Sequence, residues 1–169
     1  MTETLSPALP DDLERLVHET LKFACGKDVS LVTAESCTGG LLASLLTDVD
    51  GVGHVFERGF VTYSEEAKCD LLGLEQGMID HCGVVSEEVA RAMAKGALAR
   101  SNGDIAIAIT GFAGPAGPDD ETGLIHFACA RRDRGITHRE VHLGPVNRGT
   151  ARIACIRIAL EMIQDAINA

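Results

Sequence analysis

Short apolar stretches alternate with helix-patterned ones along nearly the whole chain, which restricts the fold to an α/β architecture with helices packed on a sheet. A first helix is expected to begin at Pro10-Asp11-Asp12, with acidic side chains in its first turn, and to stop at Gly26. Its Leu13, Leu16, Val17, Leu21 and Ala24 share one face. Residues 30–34 read as a buried strand that passes through a tight turn into a helix carrying Leu41, Leu42, Leu45 and Leu46. A second strand is expected over 59–63 and a short helix over 65–72. A longer helix follows Ser86, whose hydroxyl suits an N-cap ahead of Glu87 and Glu88. Residues 104–110 alternate Ile105, Ile107 and Ile109 with Ala106 and Ala108, giving a strand with one bulky and one small face. Residues 122–130 and 137–143 form two further strands, joined too tightly for a parallel crossover and therefore antiparallel. The last helix follows Asn147. The expected architecture is a three-layer α/β/α sandwich with a mixed, mainly parallel five-stranded sheet, built as one domain over residues 1–169 with its core at about 10–166.

Charge and composition remove several classes of partner. The net charge is −10, Trp is absent and Tyr occurs once, so neither a basic face for phosphates nor a stacking platform for bases is supplied, and no nucleic-acid partner is expected. No apolar run approaches the ~20 residues of a membrane span, so no membrane partner is expected and the cytoplasm is the expected location. The six cysteines include no Cys-x-x-Cys pair and read as small buried thiols, with no metal or other cofactor implied. Residues 1–90 hold 5 basic and 17 acidic side chains, and residues 91–169 hold 10 and 8. The second-half cations are nearly all arginines, which either form a solvated face or grip a small anion. The apolar last helix leads to an expected homo-oligomer, a dimer or higher.

Chemistry concentrates where the first strand hands over to a helix. Ser36 sits at that turn, near N–H groups that could stabilise an oxyanion. Thr38 is a candidate cap, and Gly39 and Gly40 suggest close approach of a ligand or another backbone. The chain has no Gly-x-Ser-x-Gly elbow, no Ser-x-x-Lys, no His-Glu-x-x-His and no Walker loop. The six histidines are scattered without a telling context and read as structural or exposed. Among four lysines only Lys68, just after a strand and close to the single tyrosine, Tyr63, is placed to serve as a base. Cys37 is intrinsically the better nucleophile than Ser36 but lacks an assignable partner and reads as core-facing.

Four segments then carry a resemblance. Thr33-Ala34-Glu35-Ser36-Cys37-Thr38-Gly39-Gly40, Gly59-Phe60-Val61-Thr62-Tyr63-Ser64-Glu65-Glu66-Ala67-Lys68, Gly83-Val84-Val85-Ser86-Glu87-Glu88-Val89-Ala90 and Thr110-Gly111-Phe112-Ala113-Gly114-Pro115 resemble, in order and spacing, the CinA C-terminal domain family over about residues 10–166. The resemblance implies a metal-independent serine–lysine amidohydrolase that converts the carboxamide of nicotinamide mononucleotide to nicotinic acid mononucleotide and ammonia. It implies Ser36 as nucleophile, Lys68 as base and Tyr63 as an assisting hydroxyl. It further implies a nucleotide pocket drawn from Glu35, Cys37, Thr38, Gly39, Gly40, Thr110, Gly111 and Gly114, with Arg148 meeting the phosphate. Asp120-Glu121 and Val146-Asn147 depart from the family's usual residues. The alternative they raise is a nucleotide-binding protein of the same fold without turnover.

Overall fold

A computed structural model of the chain describes residues 9–169. In chain order the elements are α1 (Asp11–Gly26), β1 (Leu31–Glu35), α2 (Leu41–Leu46), a 3₁₀ turn (Gly53–Val55), β2 (Phe56–Val61), α3 (Glu65–Leu72), α4 (Gln76–Cys82), α5 (Glu87–Ala99), β3 (Ile105–Gly111), β4 (Leu124–Arg131), β5 (Gly135–His142) and α6 (Arg148–Asn168). The strands form one sheet in the order β2-β1-β3-β4-β5. β1 pairs in parallel with both β2 and β3, and β4 runs antiparallel to both of its neighbours. Four strands therefore share one direction and β4 alone opposes them, because the tight connection to β5 permits nothing else.

The expected two-faced strand organises the layers. Ile105, Ile107 and Ile109 of β3 join Ile125 and Phe127 of β4 under α1, α2 and α6, in one apolar cluster. Ala106 and Ala108, with Ala128 and Ala130, face the second cluster, made with α3, α4 and α5. Small side chains on that face let α5 lie close to the sheet. Close approach continues outward: a Cβ at Gly96 of α5 would stand 2.1 Å from the Leu72 carbonyl of α3, so only glycine fits there.

Two elements differ from expectation. β2 begins at Phe56 rather than 59, because Glu57 and Arg58 pair with each other at 2.7 Å on an exposed edge strand and hide its start behind charge. α4 was unanticipated as a separate element; it has seven residues and Ile79 is its one fully buried side chain, too little for a helical period to show. Several arginines expected on a solvated face are structural instead. Arg132 donates to the Gly103 and Leu98 carbonyls, and Arg131 to that of Ile167, closing the C-terminal ends of α5 and α6. Among the described residues no helix is long and apolar enough to cross a membrane.

Candidate active site

Parallel strands β1 and β3 end side by side, and the turns beyond them build one cleft. The Ser36 N–H donates to the Ile109 carbonyl at 3.0 Å, and the Thr62 N–H donates to the Glu35 carbonyl at 2.8 Å. These bonds extend the ladder by one residue on each side and hold the start of the turn against its neighbours. Ser36 is 8% exposed, at the mouth of a cleft of about 240 Å³. Tyr63, Lys68, Val84, Thr110, Gly114 and Arg148 are among the other residues lining it.

Lys68 reaches this cleft from α3 and is fully buried. Its Nζ lies 3.1 Å from Ser36 Oγ and donates to the Thr62 carbonyl at 2.7 Å. Burial pushes the Lys68 pKa down, against a smaller upward pull from Cys37, Glu65 and Cys69. An amine with a lowered pKa, one N–H committed to a carbonyl and a hydroxyl within hydrogen-bond distance is equipped to accept that hydroxyl's proton. The two residues meet because α3 follows β2 directly, with Ser64 as its N-cap accepting from the Ala67 N–H at 3.0 Å.

The turn itself is wired differently from expectation. Thr38 does not cap α2; its hydroxyl donates to Glu35 Oε2 at 2.6 Å. The cap is Glu35, whose fully buried carboxylate accepts from the Leu42 and Ala43 N–H groups at 3.0 and 2.8 Å. Glu35 is thus engaged beneath the turn and is not among the residues lining the cleft. Sequence pattern misses this because the capping oxygen comes from the strand, seven residues ahead of the N–H it meets. Gly39 and Gly40 adopt φ of 63° and 90°, the left-handed region that favours glycine, and neither lines the cleft. A Cβ at Gly39 would meet the Arg152 guanidinium at 3.2 Å, and Arg152 Nε donates to the Cys37 carbonyl at 3.0 Å. Arg152, one turn after Arg148 on α6, is one of the second-half arginines expected to be solvated or to grip an anion, and its hold on the turn backbone was not foreseen. Glu35→Gln, which sets an amide NH₂ where a carboxylate oxygen accepts, is expected to lower unfolding stability by about 2–3 kcal/mol in a denaturant titration. A loss below about 0.5 kcal/mol would remove Glu35 from this role.

The remaining expected residues divide clearly. Cys37 is core-facing as expected, 4% exposed, yet it also borders the cleft. Thr110 lines the cleft and its hydroxyl donates to the Val84 carbonyl at 3.0 Å, tying the segment before α5 to the end of β3. Gly111 closes on β4, where a Cβ would stand 2.4 Å from the Ile125 side chain. Gly114 lies under Arg148, with a Cβ position 2.6 Å from its guanidinium, so the loop after β3 and the start of α6 converge. Asn147 caps α6 through Oδ1, which accepts from the Thr150 N–H at 2.9 Å. Tyr63 lines the cleft and is 65% exposed, whereas the second partner of Lys68 is the Thr62 carbonyl rather than the phenol. His126 and His138, twelve residues apart, stack across β4 and β5 with Nδ1 and Nε2 3.0 Å apart. Strand register brings them together, which spacing along the chain does not reveal. A larger hollow of about 390 Å³ lies between α1 and the end of α2, lined by Val17, His18, Lys22 and Val49 among others, without a nucleophile beside a base.

Comparison with known proteins places this arrangement. Residues 12–167 match the CinA C-terminal domain. Nicotinamide-nucleotide amidohydrolase PncC of Escherichia coli K12 is 41% identical over 154 residues, covering 89% of this chain and 90% of that protein. A CinA-like protein of Akkermansia muciniphila is 44% identical over 142 residues, covering 83% of this chain but 34% of the other, so the chain spans about a third of that longer relative. The crystal structure of the competence/damage inducible protein CihA from Agrobacterium tumefaciens superposes with a TM-score of 0.90 at 39% identity, covering both chains completely. With its fold matched along the full length of a solved relative and residues 12–167 matched by the family, the chain belongs to the CinA C-terminal domain family.

Proposed function

We propose that the protein is a nicotinamide mononucleotide amidohydrolase that works through a Ser36 nucleophile and a Lys68 base. The observation that carries this reading is the buried Lys68 Nζ, 3.1 Å from Ser36 Oγ and anchored to the Thr62 carbonyl, in a cleft that also holds Arg148. The name of the E. coli relative, matched over nine-tenths of its length, supplies the substrate class.

The neutral amine of Lys68 takes the Ser36 proton as Oγ attacks the carboxamide carbon. The Thr62 carbonyl holds one N–H, which leaves the lone pair free to turn toward the serine. The turn sets Cys37 directly after Ser36 at the edge of the cleft, which makes its N–H the nearest backbone donor along the chain for the developing oxyanion. Collapse of the tetrahedral species breaks the C–N bond, with the Lys68 ammonium returning its proton to the departing ammonia. Water, deprotonated by the same lysine, then hydrolyses the ester on Ser36 and frees nicotinic acid mononucleotide. Arg148 pairs with the phosphate, and the exposed ring of Tyr63 offers an aromatic face to the cationic pyridinium.

The test is release of ammonia and nicotinic acid mononucleotide from nicotinamide mononucleotide by the purified protein, with a chelator present. Turnover is expected to survive the chelator. Arg148→Ala is expected to raise KM about 10–100-fold with little change in kcat, because a charge-assisted contact made equally in ground and transition states is lost. Binding of the nucleotide by folded protein without any product would overturn the enzymatic reading in favour of a binding protein of the same fold.

A further inference from the structure

Two histidines that the amide chemistry does not use meet on the sheet face that α5 covers. His126 stands directly opposite Thr110 of β3 and Glu140 of β5, and His138 stands opposite Ala128, on the face of the small-residue cluster. Both side chains are largely buried, at 7% and 12% exposure. Their rings stack with centroids 5.2 Å apart, and His126 Nδ1 lies 3.0 Å from His138 Nε2. A carboxylate faces each outer nitrogen. Glu87, the first residue of α5, is 3.4 Å from His138 Nδ1, and Glu140 is 3.8 Å from His126 Nε2. The other charged groups around the pair are Glu88 and Arg91 on α5 and His142 on β5. Arg91 holds Glu87 at 2.7 Å and donates to the Ile136 carbonyl, and His142 holds the second oxygen of Glu140 at 2.8 Å and Glu121 at 2.7 Å. This run of contacts reaches the cleft. Thr110 ties to the Val84 carbonyl, and Val84 and Val85 line the cleft just ahead of the Ser86 cap and Glu87.

The count of ring protons decides what the pair can do. A carboxylate only accepts, so each outer nitrogen needs an N–H, while the inner contact needs one N–H facing one bare nitrogen. Three N–H groups, a single positive charge over both rings, satisfy all three contacts. Two N–H groups, the neutral pair, keep the inner contact and leave one carboxylate facing a lone pair. Four set two donors against each other at 3.0 Å and break the inner contact. We propose that His126 and His138 form a one-proton lock that ties the β4–β5 pair to the start of α5 and opens only when both rings are fully protonated. The charge of the first proton repels the second, so the pair titrates in two separated steps rather than as two independent rings. Burial holds the His126 pKa below the ordinary histidine value, against a smaller upward pull from Glu140, and so opposes charging of the pair. With the lock open, His138 no longer bridges His126 to Glu87, and residues 84–87 keep only the Thr110 side of their hold on the sheet. Acid therefore loosens one wall of the cleft. The lock itself does not depend on the amidohydrolase reading.

The experiment is an NMR titration of the histidine ring nitrogens in the full chain, with amide hydrogen exchange measured over the same pH range. The Val89 and Ala90 amides report on the start of α5, because they donate to Ser86 Oγ at 3.3 Å and to the Ser86 carbonyl at 3.1 Å. As pH falls, the two rings together are expected to take up one proton with the coupling across their mutual hydrogen bond retained. The second proton should enter only at a proton activity at least about tenfold higher, and the coupling should vanish with it. Protection factors at Val89 and Ala90 should hold through the first step and fall at least about threefold through the second. Protection at buried Ile156 of α6 should stay level, which distinguishes local opening from acid unfolding. In His138→Asn the remaining ring should titrate in a single step, and the acid fall in protection should disappear. Two rings that titrate independently, without coupling, would overturn the pair. Two separated steps with unchanged protection at Val89 and Ala90, or an equal fall at Ile156, would overturn its hold on α5. The wild-type titration and exchange decide both points even if His138→Asn fails to fold.

Discussion

Ser36→Ala is expected to lower turnover of nicotinamide mononucleotide by about 10⁴–10⁶-fold, since loss of a nucleophile that acts with its base as a unit removes the whole covalent route. Ammonia release in the presence of excess substrate is the measurement. The fold should tolerate the change. Ser36 contributes its backbone N–H to the ladder through Ile109, which alanine retains, and its hydroxyl contacts Lys68. Unfolding stability should therefore stay within about 1 kcal/mol of wild type. The same variant separates serine from thiol chemistry. Cys37 packs into the core and is almost fully buried, so it is not expected to replace the missing hydroxyl. A Ser36→Ala protein that still released ammonia at a wild-type rate, and lost it to a thiol alkylator, would transfer the nucleophile to Cys37.

Much of this site was legible because its parts are local. The Ser36 turn lies between a buried strand and a leucine-rich helix, and α3 occupies the expected Glu65–Leu72 behind its Ser64 cap. The Ile and Ala alternation of β3 foretold two layers of different depth, and both apolar clusters divide along it. What stayed hidden depends on approach in space. Beside Glu65 and Glu66, Lys68 has the sequence context of a solvated lysine, yet in the fold it is fully buried with its amine against Ser36 and the Thr62 carbonyl. Glu35 looks like a polar strand end available to a ligand, yet it accepts three donors from the turn and helix that follow. Arg152 sits on a helix whose apolar residues announce packing and nothing more, and the turn it holds is more than a hundred residues away. Register across β4 and β5 likewise makes partners of His126 and His138. Pattern thus reports which segment carries a group, and tertiary contact decides what that group can do.

Lys68→Met, close in length but without a proton-accepting atom, is expected to cost about 10²–10⁴-fold in kcat/KM, the usual share of a positioned general base. Its pH dependence separates a base from a mere structural cation. Burial lowers the folded-state pKa of Lys68, so the neutral amine that can take the serine proton gains population as pH rises. Wild-type kcat/KM should climb with pH and level off above that lowered pKa, whereas the residual activity of Lys68→Met should lack this limb. Stability supplies a second readout with a defined sign. Because the folded pKa lies below the unfolded value of about 10.4, the unfolded chain binds more protons in the interval between them. The contribution of Lys68 to stability is then fully present above the unfolded pKa and is lost as pH falls through the folded one. Unfolding free energies of wild type and Lys68→Met, compared across that interval, should differ by an amount that shifts in favour of wild type as pH rises. A pH-independent difference, together with a kcat/KM limb unchanged in the variant, would place the proton acceptor on another group and leave Lys68 as a positioning residue for Ser36.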